Sequence, residues 1–309
     1  MTTLRITNPG LLTTVQDLGR SGLGRYGVPP SGSMDPFASR VANRLVGNAD
    51  SDALLEITAS GEVEFLRQVP FAIAGGDLSA SLSGSPVENW TSGVAASGDR
   101  LSFGPRRQGA RAYLAVAGGL VVPEVLGSRA TDLESRIGGL SGRPLRAGDT
   151  LEAGPHGRVL RRSAPAAVRS VYRDPFVLRF IPAESAPSGA GATLLAGFTS
   201  ATLHVSAKIS RMGYRLEGEL ASTPRGEMLS EPIPPGTIQL PAGGAPILLM
   251  ADRPTVGGYP RLGSVIGADL SRAAQLFTGH AVRFVPVALA ESRAALLELA
   301  ALLRRVEAA

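Results

Sequence analysis

Short apolar runs recur along the whole chain, each bounded by glycine, proline or charge. Val63–Leu66, Phe71–Ala74, Arg100–Phe103, Ala112–Ala117, Phe176–Ile181, Thr237–Leu240, Ile247–Met250 and Val282–Val287 are four to six residues long and rich in Val, Leu, Ile and Phe. Such runs between turn-forming residues predict strands, and their number predicts a β-rich protein. Helical periodicity is confined to a few places. Asp35–Val46 has a capping Asp35, Pro36 at the first helical position, an apolar stripe of Phe37, Val41, Ala42 and Leu45, and Gly47 to end it. Two further helices are expected, over about Leu262–Leu276 and Ala290–Arg305. In the latter, Leu296, Leu299, Leu302 and Leu303 fall mostly on one side.

The pattern repeats. AYLAVAGGLVVPEVLGS (112–128) parallels ILLMADRPTVGGYPRLGS (247–264): an apolar strand, a Gly-Gly loop, then Leu-Gly-Ser. Weaker matches lie in the same order at separations of roughly 130–140 residues, which suggests a duplicated β-domain. The chain has 309 residues, enough for two domains, and 44% hydrophobic residues to fill their cores. The loosely patterned stretch Arg158–Val171 is the natural boundary, giving domains 1–168 and 169–309. On the duplication reading, the paired glycines are a shared device that turns the chain tightly after the strand. Asp252, Arg253 and Tyr259 are then what the second copy added, so the chemistry is expected mainly in the second half.

Composition narrows the function. There are no cysteines, which excludes disulfides and Cys-ligated metals. The N-terminus MTTLRITNPGLL lacks a basic region followed by an apolar one, and no apolar run approaches the ~20 residues of a membrane span. A cytoplasmic protein is expected, without membrane partners. The net charge is +5, but the charges are scattered and aromatics make up 5%, so no nucleic-acid surface is read. Thirty of the 31 basic residues are arginine, and Lys208 is the only lysine.

Several motifs are excluded by context. GLGRYG (22–27) fits a dinucleotide fingerprint but runs into Val-Pro-Pro rather than a helix. No phosphate-binding P-loop and no G-x-S-x-G elbow are present. His156, His204 and His280 lack metal-ligand spacing, so no metal is expected. Lys208 in AKIS lacks the Met-Lys-Met setting of a biotinyl acceptor.

Three polar, glycine-rich segments remain. TTVQDLGRSGLGRYGVPPSGSMDP (13–36) carries Gln16, Asp17 and Arg20, either as a site or as a structural loop tied by Asp–Arg pairs. KISRMGYRLEG (208–218) sets Lys208, Arg211 and Arg215 three or four apart around Tyr214, either as a pocket or as solvated charges. PILLMADRPTVGGYPRLGSVIGADL (246–270) ends an apolar strand on Asp252 and Arg253 beside Gly257, Gly258 and Tyr259. There Asp252 either organises a reacting centre or forms an ion pair with Arg253 or Arg211. The chemical reading is an anion pocket made by Lys208, Arg211 and Arg253, with Asp252 as base or orienter and the glycines admitting close backbone approach. Lys208, Asp252 and Arg253 are the candidate catalytic residues. Arg211, Tyr214, Gln239, Tyr259, Gln16, Asp17 and Arg20 are the candidate substrate-binding residues, the first-half loop closing the cleft.

TTVQDLGRSG, GVPPSGSMDPFASRVANRLVGN, AYLAVAGG, LGSRATD, SRMGYRLEG, PGTIQLP, and DRPTVGGYPRL with SVIGADL resemble, in order, the allophanate hydrolase subunit 2 family. It is also called the biotin-dependent carboxyltransferase-like or KipA family. The resemblance runs from about Leu11 to Phe284. It implies a mainly β chain of two tandem cyclophilin-like β-barrel domains with a few short helices. Bacterial stand-alone members are mostly 5-oxoprolinase C subunits. That implies two partners: a B subunit, of the allophanate hydrolase subunit 1 or kinase-inhibitor type, and a separate A subunit. It also implies ATP as co-substrate for converting 5-oxo-L-proline to L-glutamate. Two alternatives follow from the same resemblance: carboxyl transfer to urea, with biotin carried by another chain, and a non-enzymatic regulator that binds a kinase-inhibitor partner. The sequence departs from the family twice. RFIPAESAPSGAGATLLAG (179–197) lacks a Pro-Gly-Pro-Gln-like turn, and Ser210 stands where Asp or Asn precedes Arg-Met-Gly-Tyr.

Overall fold

In the computed structural model the described residues are 2–157, 159, 161–172, 176–183, 190–218, 220 and 229–307. The chain divides into two compact units: 1–20, 31–171 and 301–309 in the first, and 21–30 and 172–300 in the second. Strand dominates both, as the short apolar runs predict. All eight expected strands are present, and the two most apolar runs belong to longer ones, Val69–Asp77 and Gln108–Val116.

Among the described residues the first unit holds two sheets. One has seven strands, in the order Leu120–Val121, Thr150–Ala153, Thr2–Asn8, Gly61–Phe65, Arg100–Phe103, Ser81–Leu82 and Ser85–Pro86. The other has five: Leu12–Gln16, Leu54–Thr58, Gln108–Val116, Val69–Asp77 and Thr91–Ala95. Gly61–Phe65 buries alternate residues, as a strand with one face on the core must. Gln108–Val116 lies between two neighbours and is buried from Ala110 onward, so its sequence is continuously apolar there apart from Arg111. Leu4, Ile6, Leu55, Val63, Phe65, Phe71, Leu101 and Leu114 build the shared core.

The helix Pro36–Leu45 forms as its sequence predicts. Asp35 caps it by accepting the Ala38 amide at 2.9 Å, and Phe37, Val41, Ala42 and Leu45 are all buried. The cap is itself held from the sheet. Asp35 N donates to Tyr113 Oη at 2.8 Å, and Tyr113 Oη donates to Glu56 Oε2 at 2.8 Å.

The second unit is a closed barrel. Its strand order is Val177–Pro182, Arg261–Val265, Thr237–Gln239, Ile247–Leu249, Gly213–Glu217, Leu203–Ile209 and Ala281–Pro286, and the ring closes by a parallel pairing of the first with the last. Inside, Phe198 stacks on Phe284 with centroids 4.7 Å apart, and Phe180 meets both edge-on. Phe198 comes from the helix Ala190–Ser200, which the sequence pattern does not predict. That helix falls in the stretch lacking the family's turn, and residues 184–189 of the stretch lie outside the described residues.

The expected helix over Leu262–Leu276 is corrected. Arg261–Val265 is a barrel strand, and the helix runs only over Gly267–Ala274. Leu262 and Val265 are buried on extended backbone, and pairing to Thr237–Gln239 and Val177–Pro182 outweighs the helical spacing. Asp269, in that helix's first turn, accepts the amide of Arg179 at 2.8 Å and an Arg179 Nη2 at 2.7 Å, and also pairs with Arg272. Burial raises its carboxyl pKa, but these hydrogen bonds outweigh burial and the net shift is downward. The last helix, Leu289–Glu307, matches its expectation.

Candidate functional site

The strand Ile247–Leu249 ends against the turn that follows Ile209. Met250 N donates to Met212 O at 2.9 Å, and Asp252 N donates to Arg211 O at 3.1 Å. These two bonds set Arg211 and Asp252 face to face. Arg211 Nε reaches Asp252 Oδ2 at 2.8 Å and Nη2 reaches Oδ1 at 3.0 Å. Both side chains are 3% exposed. The pairing of Asp252 with Arg211, one of the readings open from sequence, is therefore the one observed. A planar fork on a carboxylate fixes the turn and cancels both charges.

The departure at Ser210 has a structural answer. Ser210 Oγ accepts Met212 N at 3.2 Å, the local turn bond that an Asp or Asn would make.

Arg253 is treated differently. It is buried, and its Nε donates to Ile233 O at 2.9 Å and its Nη1 to Met250 O at 3.3 Å. Both acceptors are neutral carbonyls. Burial lowers its pKa to about 10, with the Asp252 charge opposing that shift. Arg253 thus stays cationic at neutral pH, while the neighbouring carboxylate is committed to Arg211.

Gln239 reaches the same region from the barrel strand Thr237–Gln239 and is 5% exposed. A Cβ on Gly257 would come 2.6 Å from Ile233 Cδ1 and 2.9 Å from Gln239 Nε2. Ile233 therefore bridges the two: its carbonyl receives Arg253, and its side chain packs with the Gln239 amide over Gly257. Gly257 belongs to a short strand, Val256–Gly257, paired with Glu231–Pro232. Its glycine sits under the ends of the Ile233 and Gln239 side chains, on backbone with no left-handed φ. The first-half glycines Gly118 and Gly119 instead adopt φ of +89° and +66°, the left-handed turn the duplication argument expects of both pairs. That common role is corrected for Gly257.

The remaining candidates separate. Tyr259 is 53% exposed, and Tyr214 is fully buried in the barrel core. Lys208 is exposed on Leu203–Ile209, where the pairing to Gly213–Glu217 shifts register between Val205 and Ile209. The three cations of the expected anion pocket thus occupy three environments: Lys208 exposed, Arg211 neutralised, Arg253 buried against carbonyls.

In the first unit the Gln16–Arg20 segment is tied down thoroughly. Asp17 accepts from Gly19 N and Ser128 Oγ at 2.7 Å each and from Arg129 N at 2.6 Å. Arg20 Nη2 donates to Ala130 O at 2.6 Å. Gln16 Nε2 donates to Thr14 Oγ1 and to Thr131 O, while its Oε1 is buried without a hydrogen-bond partner among the described residues, as is Asp132 Oδ2. Ser128, Thr131 and Asp132 are not among the sequence candidates, although LGSRATD holds them. Glu56 and Tyr113 are also absent from that set, because they sit within apolar strands and read as core. Among the described residues no group of three or more His, Cys, Asp or Glu is placed to hold a metal ion.

The family described as carboxyltransferase domain, subdomain A and B, matches residues 26–286. The chain belongs to this carboxyltransferase-domain family. It is 40% identical to the 5-oxoprolinase C subunit of Escherichia coli (strain K12) over 292 residues, which cover 94% of this chain and 93% of that protein. Among solved structures it is similar to TTHA0988, at 36% identity and a TM-score of 0.83, and to the Kluyveromyces lactis urea carboxylase, at 28% identity and a TM-score of 0.89. The first match covers 92% of this chain and 56% of the other, and the second 99% of this chain and 29% of the other. This carboxyltransferase-domain chain therefore spans only part of those longer polypeptides. The site built on Arg253, Gln239 and Gly257 lies inside the matched region.

Proposed function

We propose that this chain is the C subunit of an ATP-dependent 5-oxoprolinase, acting with A and B subunits to convert 5-oxo-L-proline to L-glutamate. The observation that carries the reading is the near end-to-end match to the Escherichia coli protein, in contrast to the partial coverage of the longer relatives. The chemistry explains the need for ATP. An unstrained lactam resists water because attack forfeits amide resonance. Transfer of the γ-phosphoryl group to the lactam oxygen, with ADP leaving, makes the ring carbon electrophilic. Water adds there, the C–N bond breaks as the nitrogen takes a proton, and the resulting acyl phosphate is hydrolysed by a second water to glutamate and phosphate. Arg253 supplies a cation for the substrate carboxylate. No helix of the described residues is long and apolar enough to cross a membrane. ATP use fits a cytoplasmic location.

The test is coexpression of the chain with the A and B subunits. Glutamate release should require 5-oxoproline, ATP and this chain together. Full release without this chain would refute the assignment. The likeness to urea carboxylase supports a second reading, carboxyl transfer to urea from biotin on another chain. That reading predicts turnover that needs bicarbonate and is blocked by avidin, neither of which should affect glutamate release from 5-oxoproline.

A further inference from the structure

Arg253 and Gln239 are both more than nine-tenths buried; Arg253 donates to the Ile233 carbonyl, and the Ile233 side chain and the Gln239 amide both lie close to Gly257. Arg253 spends two of its N–H groups on carbonyls, and among the described residues no carboxylate pairs with it. Among the described residues the Gln239 amide makes no hydrogen bond, and no atom of Gln239 or Arg253 is buried without a partner, so the free edges of both groups reach solvent. A guanidinium without an acid and a carboxamide without a protein partner, each nearly buried but open at one edge, keep donors and an acceptor available to a ligand.

The two groups have complementary chemistries. A guanidinium receives a carboxylate through paired N–H donors. A primary carboxamide shows one donor and one acceptor on the same edge. A lactam ring locks its amide cis, so its N–H and C=O also share one edge, which the trans amide of an ordinary peptide does not offer. The two edges meet through two parallel hydrogen bonds.

Resting on the 5-oxoprolinase reading, we infer that Gln239 and Arg253 form a two-point receptor for a carboxylated cyclic amide. Gln239 reads the lactam edge and Arg253 holds the carboxylate. Gly257 leaves room for the Gln239 amide to lie flat against the backbone. The Arg211–Asp252 pair holds the loop but makes no demand on the ligand.

The experiment compares three ligands by calorimetry: 5-oxo-L-proline, 2-pyrrolidinone, which lacks the carboxylate, and 5-oxotetrahydrofuran-2-carboxylate, the lactone, which lacks the N–H. They are titrated into the full chain alone and into the chain coexpressed with the A and B subunits. The native protein should prefer 5-oxoproline over each analogue by at least about tenfold. Gln239→Met should lose the preference over the lactone and keep the preference over 2-pyrrolidinone. Arg253→Met should do the reverse. If Gln239→Met does not fold, Gln239→Leu, which also removes both the donor and the acceptor, should show the same loss. The receptor is overturned if either variant keeps both preferences, if ATP competes with 5-oxoproline for the chain, or if neither chain nor complex binds 5-oxoproline. Should the variants behave as stated while the complex releases no glutamate, the receptor stands and the 5-oxoprolinase reading falls. Should glutamate release proceed with both preferences untouched by substitution, the reading stands and the receptor falls.

Discussion

Arg211 and Asp252 hold each other through two hydrogen bonds, at 2.8 and 3.0 Å, with both side chains 3% exposed. The pair is closed, since both carboxylate oxygens already accept from the guanidinium. Removing one member takes this counter-charge from the other, which stays buried. Asp252→Ala should therefore destabilise the second unit by about 3–5 kcal/mol. The measurement is chemical denaturation of Asp252→Ala beside the double variant Arg211→Met/Asp252→Leu. The double variant should recover most of the loss, because an apolar pair of similar volume leaves no charge behind. Equal destabilisation by both would show that the pair contributes more than mutual neutralisation. Lost turnover in Asp252→Ala taken alone would report on folding as much as on chemistry.

Arg253 should show the opposite signature. Its guanidinium is buried against carbonyls and its pKa is lowered to about 10. Because the folded value lies below the unfolded one, charge on Arg253 costs stability at neutral pH, and that cost disappears as pH rises from about 10 towards the unfolded value. Arg253→Met should consequently leave stability unchanged or raise it while weakening anion binding. In the native chain, carboxylate affinity should hold steady up to about pH 9 and then fall as Arg253 loses its proton near pH 10. Titrations of affinity against pH, with circular dichroism recorded on the same samples, separate ligand loss from unfolding. A flat profile through about pH 11 would place the anion on another group.

Tyr113 joins two structural layers of the first unit. Its hydroxyl donates to Glu56 Oε2 and receives Asp35 N, each at 2.8 Å, and Glu56 Oε2 also takes Met34 N at 2.8 Å. Burial, then the nearby Glu56 and Asp35 charges, pushes the phenol pKa well above its ordinary value, so it remains a neutral donor. Tyr113→Phe keeps the ring and removes one oxygen. It leaves a buried amide and a carboxylate oxygen each short of a partner. A loss of about 1–3 kcal/mol is expected in denaturant unfolding, together with faster amide exchange at Ala38, the residue held by the Asp35 cap. Unchanged exchange there would mean that the cap stands without the tyrosine.

Much of this architecture was legible from local patterning. The eight strands and the helix capped by Asp35 follow from run length, turn residues and capping chemistry, all of which act over a few residues. Leu262–Val265 reads as helix because a strand's partners lie elsewhere in the chain: Arg261–Val265 is fixed by Thr237–Gln239 and Val177–Pro182. Within the candidate site, the sequence leaves the electrostatics open. Arg211 and Arg253 look alike in sequence. Only the fold shows that Asp252 takes Arg211, forty-one positions away, and leaves its own neighbour Arg253 to carbonyls. Glu56 and Tyr113 escape notice because a buried polar network sits inside strands whose flanking residues are apolar.

Gly257 and Gly118 give a further contrast, since both follow apolar strands in matching segments. At Gly118 an added Cβ would meet the backbone oxygen of Gly154 at 2.2 Å, and φ is +89°. Neither backbone can yield cheaply, so Gly118→Ala should destabilise the first unit by at least about 1–3 kcal/mol. At Gly257 the close atoms are the ends of the Ile233 and Gln239 side chains, and no left-handed φ is involved. Those side chains can rotate aside. Gly257→Ala should cost about 1 kcal/mol or less of stability, yet displace the Gln239 amide and weaken 5-oxoproline binding by an order of magnitude or more. Denaturation midpoints and calorimetric affinities for both variants decide the matter. A large stability loss at Gly257 with native affinity in the surviving fold would show that this glycine serves the barrel rather than the ligand.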